Sequence, residues 1–163
     1  MKTLLLARHA KSSWDDPEWT DFDRPLNKRG LRDAPLMAKL VKEKGFLPEL
    51  IITSPANRAL TTARIFAAEL NYPESALVVD INVYERGAKY LVQTLSRTDD
   101  KYSRVALFGH NPDVTSLVSY FSGAYTVDVP TCGCICIDFE VDSWRKIESV
   151  NGSVRFFERP AKH

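Results

Sequence analysis

The segment from Lys2 to His9 reads KTLLLARH, an uncharged run over residues 3–7 that ends in Arg8 and His9. A continuous apolar run of this length is typical of a strand buried on both faces of a parallel sheet. Residues 50–53 and 105–108 form two similar runs, and residues 77–79 form a weaker one. We therefore expect a parallel sheet whose strands lead directly into polar junctions.

Helical patterns separate these runs, over residues 55–70, 87–97 and 111–122, with another within 28–44. Pro35 leaves the start of that last helix open, because an interior proline kinks or ends a helix. Residues 134–140 and 145–157 alternate in polarity, and Asn151-Gly152 is a hairpin signal. The sequence predicts a single α/β domain over residues 1–163. It should have three layers, a mostly parallel central sheet flanked by helices, and antiparallel edge strands at the C-terminus.

Composition bounds the class of protein. The chain has 163 residues, of which 44% are hydrophobic and 26% are charged, which suits a folded domain and argues against disorder. Lys and Arg number 22 against 21 Asp and Glu, and this near-balance argues against a nucleic-acid partner. No apolar run approaches the roughly 18 residues of a membrane span. The first apolar run is too short for a secretory signal, so a cytoplasmic location is expected.

All three cysteines, Cys132, Cys134 and Cys136, alternate within one short stretch. If the stretch is a strand, its period of two places all three on one face. A soft-metal site is one reading, although zinc normally requires a fourth ligand and different spacing. The other is that the cysteines pack as small buried hydrophobes.

Three junctions follow the main apolar runs, and ligands of open α/β sheets bind at the carboxyl ends of strands. The junctions carry Arg8 and His9, then Arg58 one turn into a helix, then His110. Each of these residues alone is more often a solvated or capping residue, so the prediction rests on their conjunction. Guanidinium groups match phosphate oxygens, and a neutral imidazole is a nucleophile towards phosphorus. A phosphoryl-transfer site without a metal or another cofactor is therefore expected.

The two later junctions also contain helix-start signals. Ser54 and Asn111 are predicted N-caps, and Pro55 and Pro112 are predicted to occupy the first helical position. Helix N-termini favour anions, which agrees with a phosphate site.

Residues 12–27 interrupt the regular pattern with five carboxylates and no periodicity. A loop of this length inside a compact domain is usually functional or disordered. It leaves the first strand at the ligand-binding end, so we favour a flap that faces the substrate over a merely solvated one.

Four motifs together resemble the histidine phosphatase (phosphoglycerate mutase-like) superfamily. They are the RHA of residues 8–10, the SPANRA of 54–59 with Thr62-Ala63, the GHNP of 109–112 and the RPLNKRG of 24–30. The short length, Ala10 and the last motif resemble the small bacterial branch of SixA-type phosphohistidine phosphatases. This resemblance extends over nearly the whole chain.

The resemblance implies a role for each matching residue. His9 would be the nucleophile that is transiently phosphorylated, and Arg8, Arg58 and His110 would complete the phosphate pocket. Glu85 stands at a plausible position for the acid that relatives acting on phosphate esters use to protonate the leaving oxygen. The alternative is an exposed loop carboxylate before a helix. Ser12 could donate a hydrogen bond to phosphate. Asp15 stands where relatives often have Asn, so we expect its carboxylate to turn away or to pair with a basic neighbour.

The expected function is metal-independent dephosphorylation of phosphohistidine on a protein, such as a phosphorelay component. The alternatives are a phosphatase of small phosphate esters and a phosphoprotein-binding module without turnover. A monomer is favoured. Activity is expected to fall on the acid side as the nucleophilic imidazole becomes protonated.

Overall fold

The computed structural model describes residues 1–123 and 127–161, and within them six strands form one sheet. The strand order across the sheet is β3-β2-β4-β1-β5-β6. The strands are β1 (Lys2–Arg8), β2 (Leu50–Thr53), β3 (Val78–Val79), β4 (Arg104–Gly109), β5 (Cys134–Phe139) and β6 (Ser153–Glu158). The four apolar runs of the sequence are therefore strands, as predicted.

Strand direction also agrees with the sequence pattern. β1 pairs with β4, and β2 pairs with both β4 and β3, all in parallel. β5 is antiparallel to β1, and β6 is antiparallel to β5. The predicted sheet, mostly parallel with antiparallel strands at its C-terminal edge, is confirmed.

Four α-helices cover the sheet within the described residues, and each lies inside a predicted range. They are α1 (Lys28–Glu43), α2 (Asn57–Glu69), α3 (Ala88–Ser96) and α4 (Asp113–Ser122). Short 3-10 helices occupy Glu74–Ala76, Ile81–Val83 and Trp144–Ser149. None of the helices in residues 1–123 and 127–161 is long and apolar enough to cross a membrane.

Alternate side chains of β1 enter two separate cores, which gives the three layers. Leu4 and Leu6 pack in the core that contains α3 and α4. Leu5 and Ala7 pack on the other face, against α1 and α2. Full burial stabilises each leucine side chain by about 2 kcal/mol relative to exposure. Helices on both faces thus require an apolar residue at every position from Leu4 to Ala7.

The start of α1 is determined by a side-chain cap. Asn27 accepts a hydrogen bond at Oδ1 from the amide of Gly30, at 2.9 Å. The helix continues through Pro35, which lies in its interior. Gly30 packs against the backbone of Lys11, where a side chain would overlap the Lys11 carbonyl oxygen. This contact closes the base of the loop over residues 12–27 together with the isolated bridge between Ser12 and Leu26.

The predicted hairpin at Asn151-Gly152 is wrong. The residues before it form the 3-10 helix Trp144–Ser149, and β6 pairs with β5 across this longer connection. The indole of Trp144 is buried and donates from Nε1 to the carbonyl of Tyr102, at 2.7 Å. The amide of Gly152 donates to the carbonyl of Phe121, at 2.6 Å. Glycine is required here because a side chain would overlap Ile137.

The predicted helix caps are also displaced. α2 begins at Asn57 with Ala56 at the cap position, so Ser54 does not cap it. α4 begins at Asp113 with Pro112 at the cap position. Asn111 stands one residue further back, although its Oδ1 still accepts from the amide of Thr115, at 3.2 Å. Both prolines therefore precede the first helical residue, and Ser54 is free for another partner.

The cysteines are buried and unoxidised. Cys134 and Cys136 lie in β5 and Cys132 just precedes it, and all three pack in the core against α1 and α2. Burial raises the pKa of the Cys132 and Cys136 thiols to about 12. No group of three or more His, Cys, Asp or Glu suited to a metal occurs in the part of the chain that the structure describes. The cysteines therefore act as small hydrophobes in the core.

Candidate active site

Two histidines meet at the carboxyl ends of the central strands. His9 follows β1 and His110 follows β4, and the amide of His9 donates to the carbonyl of Gly109, at 3.1 Å. The two ring centroids lie 5.2 Å apart, and both residues are less than 10% exposed. The pairing of neighbouring parallel strands thus brings together two imidazoles separated by a hundred residues of chain.

The ring of His9 is fixed by its neighbour. Its Nδ1 lies 2.7 Å from the carbonyl oxygen of Ala10. A carbonyl oxygen only accepts hydrogen bonds, so Nδ1 carries the proton and Nε2 holds a free lone pair. Ala10 is itself held, because its amide donates to the hydroxyl of Thr62 in α2, at 3.0 Å. This is the tautomer that nucleophilic attack through Nε2 requires.

His110 is oriented by the serine that does not cap α2. Its Nε2 lies 2.8 Å from Oγ of Ser54, at the end of β2. Its Nδ1 is buried and has no hydrogen-bond partner within residues 1–123 and 127–161. A buried polar atom of this kind normally finds a partner, and a bound anion would supply an acceptor.

Arg58 lies in the first turn of α2 and is buried. Its Nη1 donates to the backbone carbonyl of Asp21 at 2.6 Å, and its Nη2 donates to the Asp21 carboxylate at 3.0 Å. Arg8, at the end of β1, donates from Nη1 to the carbonyl of Val129, at 3.1 Å. Each guanidinium is thus held on one side and leaves further N–H donors available.

The loop over residues 12–27 supplies a third arginine that was not among the predicted site residues. Arg24 is buried and donates from Nη1 to Oγ of Ser12, at 2.7 Å. Its Nη2 lies 3.2 Å from Oδ1 of Asp21. The sequence predicts that this loop faces the site, but no pattern in it distinguishes Arg24 from the other charged residues of the loop.

Asp21 joins the loop to the rest of the site. Its Oδ2 also accepts from the hydroxyl of Tyr84, at 2.7 Å. Burial would raise the pKa of Asp21, but hydrogen bonds from Tyr84 and Arg58 outweigh that effect and hold the pKa at about 2. Burial and the same hydrogen bond raise the pKa of Tyr84 to about 12. The carboxyl group of Asp21 is therefore ionised near neutral pH, and it lies among cationic side chains.

These groups surround a cavity of about 210 Å³. Five of the six predicted site residues line it: Arg8, His9, Ser12, Arg58 and His110. The lining residues that were not predicted are Lys11, Trp14, Arg24, Asn111 and Thr131. The predicted juxtaposition of two arginines and two histidines from three separate junctions is thus present in the structure.

The two acidic residues singled out from the sequence are both exposed. Glu85 is exposed and does not belong to the described residues that line the cavity, so its role as a leaving-group acid stays a prediction. Asp15 is also exposed and borders a separate surface depression with Pro25 and Lys28. Its carboxylate therefore leaves the cavity free, as the sequence analysis expected.

Burial makes both imidazoles poor bases. Desolvation lowers the pKa of His9 to about 3, with smaller contributions from His110, Arg58 and Arg8, while the hydrogen bond to Ala10 opposes the shift. Desolvation and the charge of Arg58 lower the pKa of His110 to about 4. The sequence predicted that activity falls in acid as the nucleophilic imidazole becomes protonated. In the free protein this fall should occur at a lower pH than the ordinary histidine pKa would give.

Both histidines are expected to remain neutral in the unliganded protein down to about pH 5. Imidazole chemical shifts in NMR spectra measure this directly, and titration of both rings near pH 6.5 would contradict it.

The unfolded chain binds a proton at each histidine near pH 6.5 and the folded chain does not. The free energy of unfolding should therefore fall as the pH drops below that value, by about 1.4 kcal/mol per pH unit for each histidine. Urea unfolding in phosphate-free buffer tests the slope, which His9→Asn should reduce.

An α/β fold that gathers two histidines and two arginines around one cavity has the architecture of a phosphate-handling enzyme. The sequence model of the histidine phosphatase superfamily (branch 1) matches residues 4–86. The chain belongs to this superfamily, and the membership supports phosphatase activity.

Similar proteins agree with that placement. An uncharacterized chloroplastic protein of Arabidopsis thaliana is 30% identical over 159 residues, which cover 93% of this chain and 72% of the relative. A crystal structure from Agrobacterium tumefaciens, assigned as the phosphohistidine phosphatase SixA, is 26% identical with a TM-score of 0.80, covering 98% of both chains. The protein histidine phosphatase SixA complexed with tungstate has a TM-score of 0.81 at 23% identity, covering 95% of both chains, and supports the fold.

Proposed function

We propose that this chain is a phosphohistidine phosphatase that acts through a phosphorylated His9. One observation carries the proposal: Nε2 of His9 is unprotonated, because Nδ1 donates to Ala10, and its ring lines the arginine-rich cavity. A neutral, oriented imidazole beside guanidinium groups is a nucleophile placed for attack on a bound phosphoryl group.

The first step forms one bond and breaks another. The lone pair on His9 Nε2 forms a bond to phosphorus, and the bond from phosphorus to the substrate nitrogen breaks. The electron pair of that bond stays on the leaving imidazole, which departs neutral if its other nitrogen already carries a proton. In the second step water attacks the phosphorylated His9, the bond to Nε2 breaks, and inorganic phosphate and a proton are released.

The surrounding cations stabilise the charge on the equatorial oxygens of the transferring group. Arg8 and Arg58 supply forked donors, and the unpartnered Nδ1 of His110 supplies another in the tautomer that accepts from Ser54. Ser12 uses its oxygen to accept from Arg24, and its hydroxyl proton is available for phosphate. This stabilisation needs no metal ion, because the positive charge is provided by side chains.

The position of Glu85 favours phosphohistidine over a phosphate ester. An alkoxide leaving group needs a proton, whereas a leaving imidazole needs less help. Because Glu85 is exposed, a substrate with a low demand for acid fits this site better. We propose that the substrate is a phosphohistidine side chain on a phosphorelay protein of the cytoplasm, and that the enzyme acts as a monomer.

Turnover of matched substrates tests this assignment. We expect kcat/KM for a phosphohistidine-bearing protein domain to exceed that for small phosphate esters such as sugar phosphates by roughly 100-fold or more. Release of inorganic phosphate is the measurement. A preference for the esters would replace phosphohistidine by an ester substrate, and phosphoprotein binding without any release of phosphate would indicate a binding module.

A further inference from the structure

Trp14 combines two properties that rarely occur together. It is 73% exposed, more than any other large hydrophobic side chain in the described part of the chain. It nevertheless lines the cavity that contains His9 and Arg58. An indole at the mouth of a charged cavity brings no positive charge to the anion, and its exposed surface is available to another part of the substrate.

The indole ring of Trp14 is held in place by a contact on one of its faces. The guanidinium carbon of Arg24 lies 3.5 Å from the ring centroid, so the two planar groups are stacked. Arg24 is itself fixed by its contacts with Ser12 and Asp21. One face of the ring is covered by this stack, and the exposed area belongs to the opposite face and the edges. The ring is therefore a pre-organised surface, with little conformational entropy left to lose on binding.

The direction of the reaction places the leaving group near this surface. In an in-line displacement the leaving atom lies opposite the nucleophile. His9 is buried at the base of the cavity, and Trp14 is exposed at its mouth. A leaving group that departs away from His9 Nε2 must therefore pass towards the mouth of the cavity.

We infer that Trp14 is a specificity-determining residue that stacks on the flat leaving group of the substrate. The inference rests on the proposed function, in which that leaving group is imidazole. Stacking between aromatic rings favours planar leaving groups and adds nothing for small, non-planar ones. Trp14 thus selects the group attached to phosphorus, while the arginines and histidines select the phosphoryl group.

A pair of phosphoramidates that differ only in the leaving group tests the inference. Phosphoimidazole has a planar leaving group, and phosphoramidate releases ammonia. We expect Trp14→Ala to lower kcat/KM for phosphoimidazole roughly 3- to 10-fold and to change that for phosphoramidate by less than about twofold. Trp14→Phe should retain most of the phosphoimidazole activity. Trp19→Ala is the matched control, because Trp19 lies on the same loop but borders the separate depression near Asp15.

Inhibition by inorganic phosphate separates leaving-group recognition from an effect through Arg24. Phosphate has no leaving group, so its inhibition constant should be the same for Trp14→Ala and the unmodified enzyme. Equal losses on both phosphoramidates, a weakened inhibition by phosphate, or no loss at all would overturn the inference. If the enzyme hydrolyses only esters, the proposed function fails. Trp14 is then tested with phenyl phosphate against methyl phosphate, and an unchanged ratio in Trp14→Ala would overturn the inference there as well.

Discussion

Replacing His9 by asparagine is expected to abolish measurable turnover, with a loss of roughly 10⁴-fold or more in kcat/KM. The asparagine amide can still donate to the carbonyl of Ala10, so the local backbone is supported. It has no nitrogen at the position of Nε2, and the covalent intermediate cannot form. Affinity for inorganic phosphate should change far less, since Arg8 and Arg58 remain.

Rapid quenching at alkaline pH with ³²P-labelled substrate supplies the decisive measurement. The unmodified enzyme should carry label on His9, in a bond that is stable to base and labile to acid. His9→Asn should carry none while keeping its urea unfolding midpoint. Label that persists in this variant, or full activity without label, would show that another residue is the nucleophile.

The second large effect is expected at Arg58. Arg58→Gln should lower kcat/KM roughly 10²- to 10³-fold and weaken inhibition by inorganic phosphate. Two effects combine, because the substitution removes a cation and also leaves the carboxylate of Asp21 at the site with Arg24 as its remaining cationic partner. Arg58→Lys should recover only part of the loss, since a lysine ammonium lacks the forked geometry that holds Asp21 and phosphate together.

Arg145→Gln is the matched control for the loss of one positive charge. Arg145 is exposed and follows Trp144, which contacts Tyr102 at the opposite end of the sheet. Phosphate kinetics at several salt concentrations distinguish a local effect from a general change in charge. Equal losses in the Arg58 and Arg145 variants would contradict a specific phosphate contact.

The fold was predictable because its signals are local. An apolar run buried on both faces specifies a central strand whatever its partners, and parallel strands must align their carboxyl ends. Those two facts were enough to bring His9, Arg58 and His110 together from the sequence. The same reasoning failed at Asn151-Gly152, because its turn preference is weaker than the burial of Trp144 and the close approach of Gly152 to Ile137.

The contribution of residues 12–27 could not be derived in the same way. This loop has no periodic pattern, so nothing in it predicts which of its charged side chains turns inward. Asp21 enters the site because it pairs with Arg58, and it holds Arg24 there through a second ion pair. The pair between Asp21 and Arg58 joins residues far apart in the sequence, so it follows only from the folded chain. A sequence can therefore predict that such a loop belongs to the site before it can predict which residues matter.

The buried cysteines have a practical consequence for experiments on this enzyme. Thiol reagents attack the thiolate, and these three sulfurs lie within the core as thiols whose pKa burial raises above the usual value. Alkylating agents therefore spare the native state and modify a molecule only while its interior is open. The rate of maleimide incorporation therefore measures how often the protein unfolds transiently, without any engineered label.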